Sequence, residues 1–105
     1  MSYKFDYKTR YMTRGVSSKI PLTLQIYLWN LIDEKLKKNE DLDYLQIFIV
    51  KNNGRNLKII HKQEEPPYKN EYKLKMVNEY VEVKNTKIYV IDDRTHSTML
   101  FAEEY

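Results

Sequence analysis

The stretch DYLQIFIVKNNGRNLKIIHKQ, residues 43–63, decides the fold. Two runs of branched and aromatic residues flank Asn52-Asn53-Gly54, the pattern of a β-hairpin. Strand side chains alternate with period two, so the length of the reversal sets which of them share a face. A two-residue Asn53-Gly54 turn would set Val50 opposite Leu57 and Leu45 opposite Lys62, mixing lysines into both faces. A three-residue loop, Asn52-Asn53-Gly54 with Gly54 in a left-handed bulge, pairs Ile49 with Leu57, Ile47 with Ile59 and Leu45 with His61. That register gathers Leu45, Ile47, Ile49, Leu57 and Ile59 on one aliphatic face. Tyr44, Gln46, Phe48, Val50, Lys58, Ile60 and Lys62 fall on the other. The cleaner face favours the three-residue loop and should receive a helix.

That helix is expected just upstream, over SSKIPLTLQIYLWNLIDEKLKKN, residues 17–39. Ser17 or Ser18 can cap its start, and Pro21 is tolerated in a first turn. Lys35, Lys37 and Lys38 suit the negative end of the helix dipole. Ile20, Leu24, Leu28 and Leu31 form an apolar stripe, widened by Leu22, Trp29 and Leu36 beyond what one sheet contact needs. The N-terminal segment or a second subunit should cover Leu22, Ile26 and Trp29.

Downstream, EEPPYKNEY (64–72) reads as a connection, with Pro66 and Pro67 ending the preceding strand. Residues 72–85 read as one or two short strands. KIYVIDD (87–93) and STMLFA (97–102) read as a pair of antiparallel strands joined by the turn formers between Asp92 and His96. With a further strand near residues 10–16 the expected fold is α+β: one long helix packed on one face of an antiparallel sheet of about five strands.

The chain is 105 residues long, which suits one domain with a modest core. Apolar residues make up 42% and charged residues 31%, which places it among ordered globular chains. No cysteine occurs, so disulfides, thiolate metal sites and cysteine nucleophiles are excluded. MSYKFDYKTRYM has no apolar h-region and no run approaches a membrane span, so a cytoplasmic protein is expected. The net charge of +3 is mild, but the start of the chain is basic and its end acidic.

Chemistry-bearing constellations are sparse. His61, His96 and one of Asp92 or Asp93 could in principle bind zinc, but no ligand spacing demands it. Ser97 beside His96 is a neighbour in sequence only, because adjacent strand side chains point to opposite faces. Two isolated glycines cannot build a phosphate-cradling loop. No enzyme activity, cofactor or metal is therefore expected. In SYKFDYKTRYMTRG, rings alternate with Lys4, Lys8, Arg10 and Arg14, a pattern able to stack bases and hold phosphates. Tyr27, Trp29, Tyr44 and Phe48 are the candidate anchors for a protein interface or for self-association.

Six blocks taken in order resemble a known family: RYMTRGV (10–16), IPLTLQIYLWNLID (20–33), DYLQIF (43–48), IIHKQEEP (59–66), KIYVIDD (87–93) and STMLFAEEY (97–105). They are similar to domain-of-unknown-function family 960, small proteins of low-GC Gram-positive bacteria, their phages and the staphylococcal cassette chromosome. Residues 1–9 then look like a variable extension before a single domain over 10–105. The resemblance transfers no catalytic residues. It implies a cytoplasmic accessory protein of a mobile element, acting by binding a protein partner or, alternatively, nucleic acid.

Overall fold

The computed structural model describes residues 2–105. Its frame is a six-stranded sheet with two consecutive helices on one face. The strands are β1 (Arg10–Met12), β2 (Leu45–Asn52), β3 (Asn56–Gln63), β4 (Tyr68–Lys75), β5 (Thr86–Asp92) and β6 (Ser97–Phe101). Their spatial order is β1-β6-β5-β2-β3-β4. All neighbours run antiparallel except the three-residue β1, which lies parallel to β6. The sheet is thus one strand wider than the sequence implied, and mixed rather than wholly antiparallel.

The expected single helix is two: α1 (Arg14–Lys19) and α2 (Leu22–Lys37). The break lies at Ile20-Pro21, because a residue before proline is pushed out of the helical region, and Ile20 is extended at φ −108°, ψ 121°. Helix α1 starts at Thr13, whose side chain accepts the Val16 amide hydrogen. Helix α2 buries Leu24, Leu28 and Ile32, one face at a spacing of four, with Gln25 and Lys35 beside them. Ile32 rather than Leu31 therefore continues the buried stripe.

The central hairpin departs most from the expected pairing. Its register sets Asn52 opposite Leu57, Val50 opposite Ile59 and Phe48 opposite His61, so residues 53–56 form a four-residue reversal. Asn53 makes this loop: its Oδ1 accepts the amide hydrogens of Arg55 and Asn56. Gly54, at φ +87°, supplies the left-handed residue. One added residue flips every side chain of one strand relative to its partner. Leu57 and Ile59 therefore share the helix side with Phe48 and Val50, not with Ile47 and Ile49. All four are fully buried in a core with Leu24, Leu28, Ile32, Ile88, Val90 and Met99.

Two further stretches differ from expectation. The connection after β3 shrinks to residues 64–67, and β4 begins at Tyr68. Within residues 72–85 the strand ends at Lys75, and a short 3-10 turn follows at Asn78–Tyr80. Residues 2–9 contact the rest of the chain. Phe5 is fully buried, and its amide donates to the buried carboxylate of Asp92 at 2.9 Å. Phe5 sits at φ +44°, a region non-glycine residues rarely adopt, held there by that bond and by packing.

Candidate binding surface

The sheet has one covered and one uncovered face. The strand register settles which residues lie on the uncovered one, since directly paired residues share a face. From β2 come Leu45, Ile47, Ile49 and Lys51. From β3 come Lys58, Ile60 and Lys62. The edge strand β4 adds Lys69, Glu71, Lys73 and Lys75. From β5 and β6 come Lys87, Tyr89, Ile91, Thr98 and Leu100.

This surface has two zones. An apolar zone of Leu45, Ile47, Tyr89, Ile91 and Leu100 spans β2, β5 and β6. Ile47, Ile60 and Leu100 are 6, 7 and 9% exposed, yet none of the three belongs to the core cluster under the helices. Ile60 is flanked along its own strand by Lys58 and Lys62, whose aliphatic stems can shade it while their ammonium groups stay wet. The second zone is basic. Seven lysines against one glutamate leave +6 on this face, so a chain of net +3 is net −3 everywhere else. Glu71 bonds Lys58 at 3.0 Å, and Lys58 first, then Lys69 and Lys51, hold its carboxyl below the usual range.

The sequence-derived candidates are dispersed. Phe48 is fully buried, stacked on His61 with centroids 4.3 Å apart, so it offers no surface to a partner. Tyr27 is half-buried between α2 and the sheet, its ring edge-on to Tyr72 at 6.3 Å, and burial followed by Tyr72 and Tyr80 raises its pKa. Tyr44 is 41% exposed, and its ring lies 6.1 Å from that of Tyr3.

Trp29 is half-buried and packed against the core. The cover expected from the N-terminal segment is Arg10, whose guanidinium stands 4.6 Å from the Trp29 ring. Leu22 and Ile26, by contrast, stay 64 and 50% exposed. Arg10 also donates to the Phe5 carbonyl at 2.8 and 3.1 Å and pairs with Asp33 through both terminal nitrogens. This bidentate, ring-stacked fork is a structural clasp rather than a phosphate contact. Lys4, Lys8 and Arg14 remain exposed.

The clasp makes a prediction. Arg10→Ala should cost about 2 kcal/mol in urea unfolding, mostly by leaving the Phe5 carbonyl unpaired and Trp29 uncovered. The half-exposed Asp33 contributes less. Arg10→Lys should recover little, because an ammonium cannot reproduce the fork. A full rescue by lysine would contradict this account.

The two histidines lie in unlike places. His96 is exposed in the turn between β5 and β6, edge-on to Tyr11 at 5.5 Å. That turn is the reversal the sequence implied. Asp93 Oδ1 accepts the amide hydrogens of Thr95 and His96 and the Thr95 hydroxyl, and these bonds lower its pKa to about 2. His61 is fully buried below the last turn of α2. Gln46 Nε2 donates to Gln63 Oε1 at 2.7 Å and to the Asp43 carbonyl, so Gln46 Oε1 faces His61 Nε2 at 2.7 Å and accepts from it. His61 Nδ1 then carries a bare lone pair without a partner. Burial first, and the Lys35 cation second, lower its pKa to about 3. Lys35 itself lies 3.3 Å from the Tyr68 ring centroid and 2.9 Å from Glu40.

No group of three or more histidine, aspartate or glutamate residues able to hold a metal ion occurs among the described residues. No helix among them is long and apolar enough to cross a membrane. A shallow cleft of about 380 Å³ between α1 and β5 is lined by Lys19, Lys84, Glu82 and Glu103, a balanced charge set with no preference of sign.

The basic face is not evident in the sequence, where the first half of β4 reads as a connection. A signal is present there all the same: in YKNEYKLK, lysine recurs at positions two or four apart, interleaved with Tyr68, Tyr72 and Leu74.

A crystal structure of a protein of unknown function from Enterococcus faecalis is similar over 100% of this chain and 98% of that one, with a TM-score of 0.79 and 28% identity. Comparison with curated proteins gives no match. The model of the staphylococcal family of proteins of unknown function, DUF960, matches residues 9–104, and the chain, with its two helices seated on a mixed sheet, belongs to that family.

Proposed function

We propose that this protein is a non-enzymatic accessory protein that binds another macromolecule across the uncovered face of its sheet. The observation that carries this is the segregation of charge: +6 on one face of a chain whose net charge is +3. A surface of one sign raises the local concentration of an oppositely charged partner and speeds its docking. The part-exposed Leu45, Tyr89 and Ile91 beside it add area for contact once docked. The cytoplasmic, mobile-element setting implied by the family resemblance is compatible with such a role.

The test compares three immobilised proteins offered an extract of the native host. They are the wild type, the face variant Lys51→Gln/Lys62→Gln/Lys87→Gln, and the helix variant Ile26→Glu. All three substitutions of the face variant lie on interior strands, so the edge strand keeps its lysines. The wild type and the helix variant should retain a partner that the face variant loses. Equal retention by all three, or loss only in the helix variant, would move the docking surface away from the sheet.

A further inference from the structure

We infer that the uncovered sheet face binds single-stranded nucleic acid, with its lysines on the phosphates and Tyr89 and Tyr105 presenting rings to the bases. This rests on the sheet face being the docking surface, and it names the occupant. Three register pairs carry it: Lys51 opposite Lys58, Lys58 opposite Lys73, and Lys62 opposite Lys69. Like charges directly opposed on one face destabilise a sheet. Glu71, the one acid on the face, forms its ion pair with Lys58. A sequence tuned for stability alone would place an acid or threonine at several of these positions, and departures of this kind mark functional surfaces. A bound polyanion relieves the repulsion.

Edge protection accounts for part of the pattern. Lysines on β4 blunt an exposed strand edge against other chains. Lys51, Lys58, Lys62 and Lys87 stand on β2, β3 and β5, which have strand neighbours on both sides and no edge to guard.

The choice among polyanions follows from composition and width. Lysine is depleted at protein–protein interfaces, where its long stem and hydrated head are costly to order and desolvate. It is the ordinary phosphate contact of nucleic-acid surfaces. The lysine-bearing strands β5, β2, β3 and β4 span three interstrand steps, about 14 Å. That is wider than a duplex major groove of about 12 Å, which admits a helix or a two-stranded ribbon. A single strand needs no groove and lies across an open sheet, its bases free to stack. Tyr89 stands half-buried where the apolar and basic zones meet. Tyr105 is 71% exposed, with its ring edge-on to Tyr89 at 5.7 Å.

The experiment is fluorescence anisotropy on the whole chain at two salt concentrations. The probes are a labelled dT oligomer of about 16 nucleotides, the matching U oligomer, a duplex of the same length and labelled poly-L-glutamate. The single strands should bind most tightly and weaken steeply with salt. The Lys51→Gln/Lys62→Gln/Lys87→Gln variant should bind them at least about tenfold more weakly, with a log–log salt slope shallower by about 2, roughly 0.7 for each phosphate left without its lysine. Tyr89→Leu should weaken dT binding and leave the salt slope unchanged, which separates stacking from charge. A melting temperature for the lysine variant at or above that of the wild type shows that the fold is intact. Tighter binding of the duplex, or single-strand binding unchanged in the lysine variant, overturns the inference. Poly-L-glutamate bound as tightly as dT and lost in the same variant overturns it too, while leaving the sheet face as a docking surface. Retention of no probe, together with equal retention of host partners by all three immobilised proteins, overturns both.

Discussion

The melting temperature should fall by roughly 10 °C as the pH is lowered from about 7.5 to about 5, and His61→Gln should flatten that fall. His61 titrates near 6.5 in the unfolded chain and near 3 in the fold. Below 6.5 the unfolded state takes up a proton that the folded state refuses, so stability drops as the pH falls, by at most about 1.4 kcal/mol per unit. The stability is fully present above 6.5 and is lost progressively towards 3. Integrated from pH 7.5 to 5, the loss is about 2 kcal/mol. His61 is fully buried, and no side chain or backbone group stands by its Nδ1 to accept from a new N–H. The depressed carboxyls of Asp93 and Glu71 start from 3.8 and 4.5, so their contributions are lost only below this window. His61→Gln keeps a donor for Gln46 but cannot titrate. It should be less stable at neutral pH and nearly independent of pH down to about 5. A wild-type melting temperature constant across the window would refute the account, as would an equal slope in the variant.

The largest single substitution effect should come from Phe48→Ala, at about 3–5 kcal/mol in denaturant unfolding. Phe48 is fully buried in the centre of β2, stacked on His61 at 4.3 Å with an interplanar angle of 20°. Truncation removes the ring's apolar burial and leaves a void against an imidazole already short of one partner. For a domain of ordinary marginal stability that is a large share of the total. Tyr44→Ala, at a position 41% exposed, should cost about 1 kcal/mol or less. The contrast tests the hairpin register directly, because the three-residue loop would have turned Phe48 away from the helix. Full stability in Phe48→Ala with loss of a binding partner would restore the outward assignment.

Local chemistry explains which features were legible. The Asn-rich reversal, the turn at Asp92–His96 and the strand stop at Pro66-Pro67 each depend on residues that bond or constrain their own backbone. The amphipathic stripe through Leu24 and Leu28 was readable because three-to-four spacing is a one-dimensional signal. The binding candidates fared differently. Phe48 and Arg10 look available in the sequence because aromatic and cationic residues favour surfaces, and nothing local shows that one stacks in the core and the other clasps Trp29 and Asp33. The basic face was hidden because its lysines come from four strands that only pairing brings together.

What the sequence by itself determined is the class of fold, the existence of reversals at the Asn-rich stretch and between Asp92 and His96, and the absence of thiol chemistry, since these follow from residue types and their spacing. The faces of the central strands were decided only in three dimensions. Strand β2 carries apolar residues at successive positions from Ile47 to Val50, so alternation alone cannot say which side is buried. Asn52 decides it, with its side-chain amide donating to the carbonyls of Tyr80, Val81 and Val83, more than 25 residues away, and its amide nitrogen donating to Asn85. Those bonds fix where the strand ends, the strand end fixes the loop, and the loop turns Phe48 inward and Lys51, Lys58 and Lys62 outward.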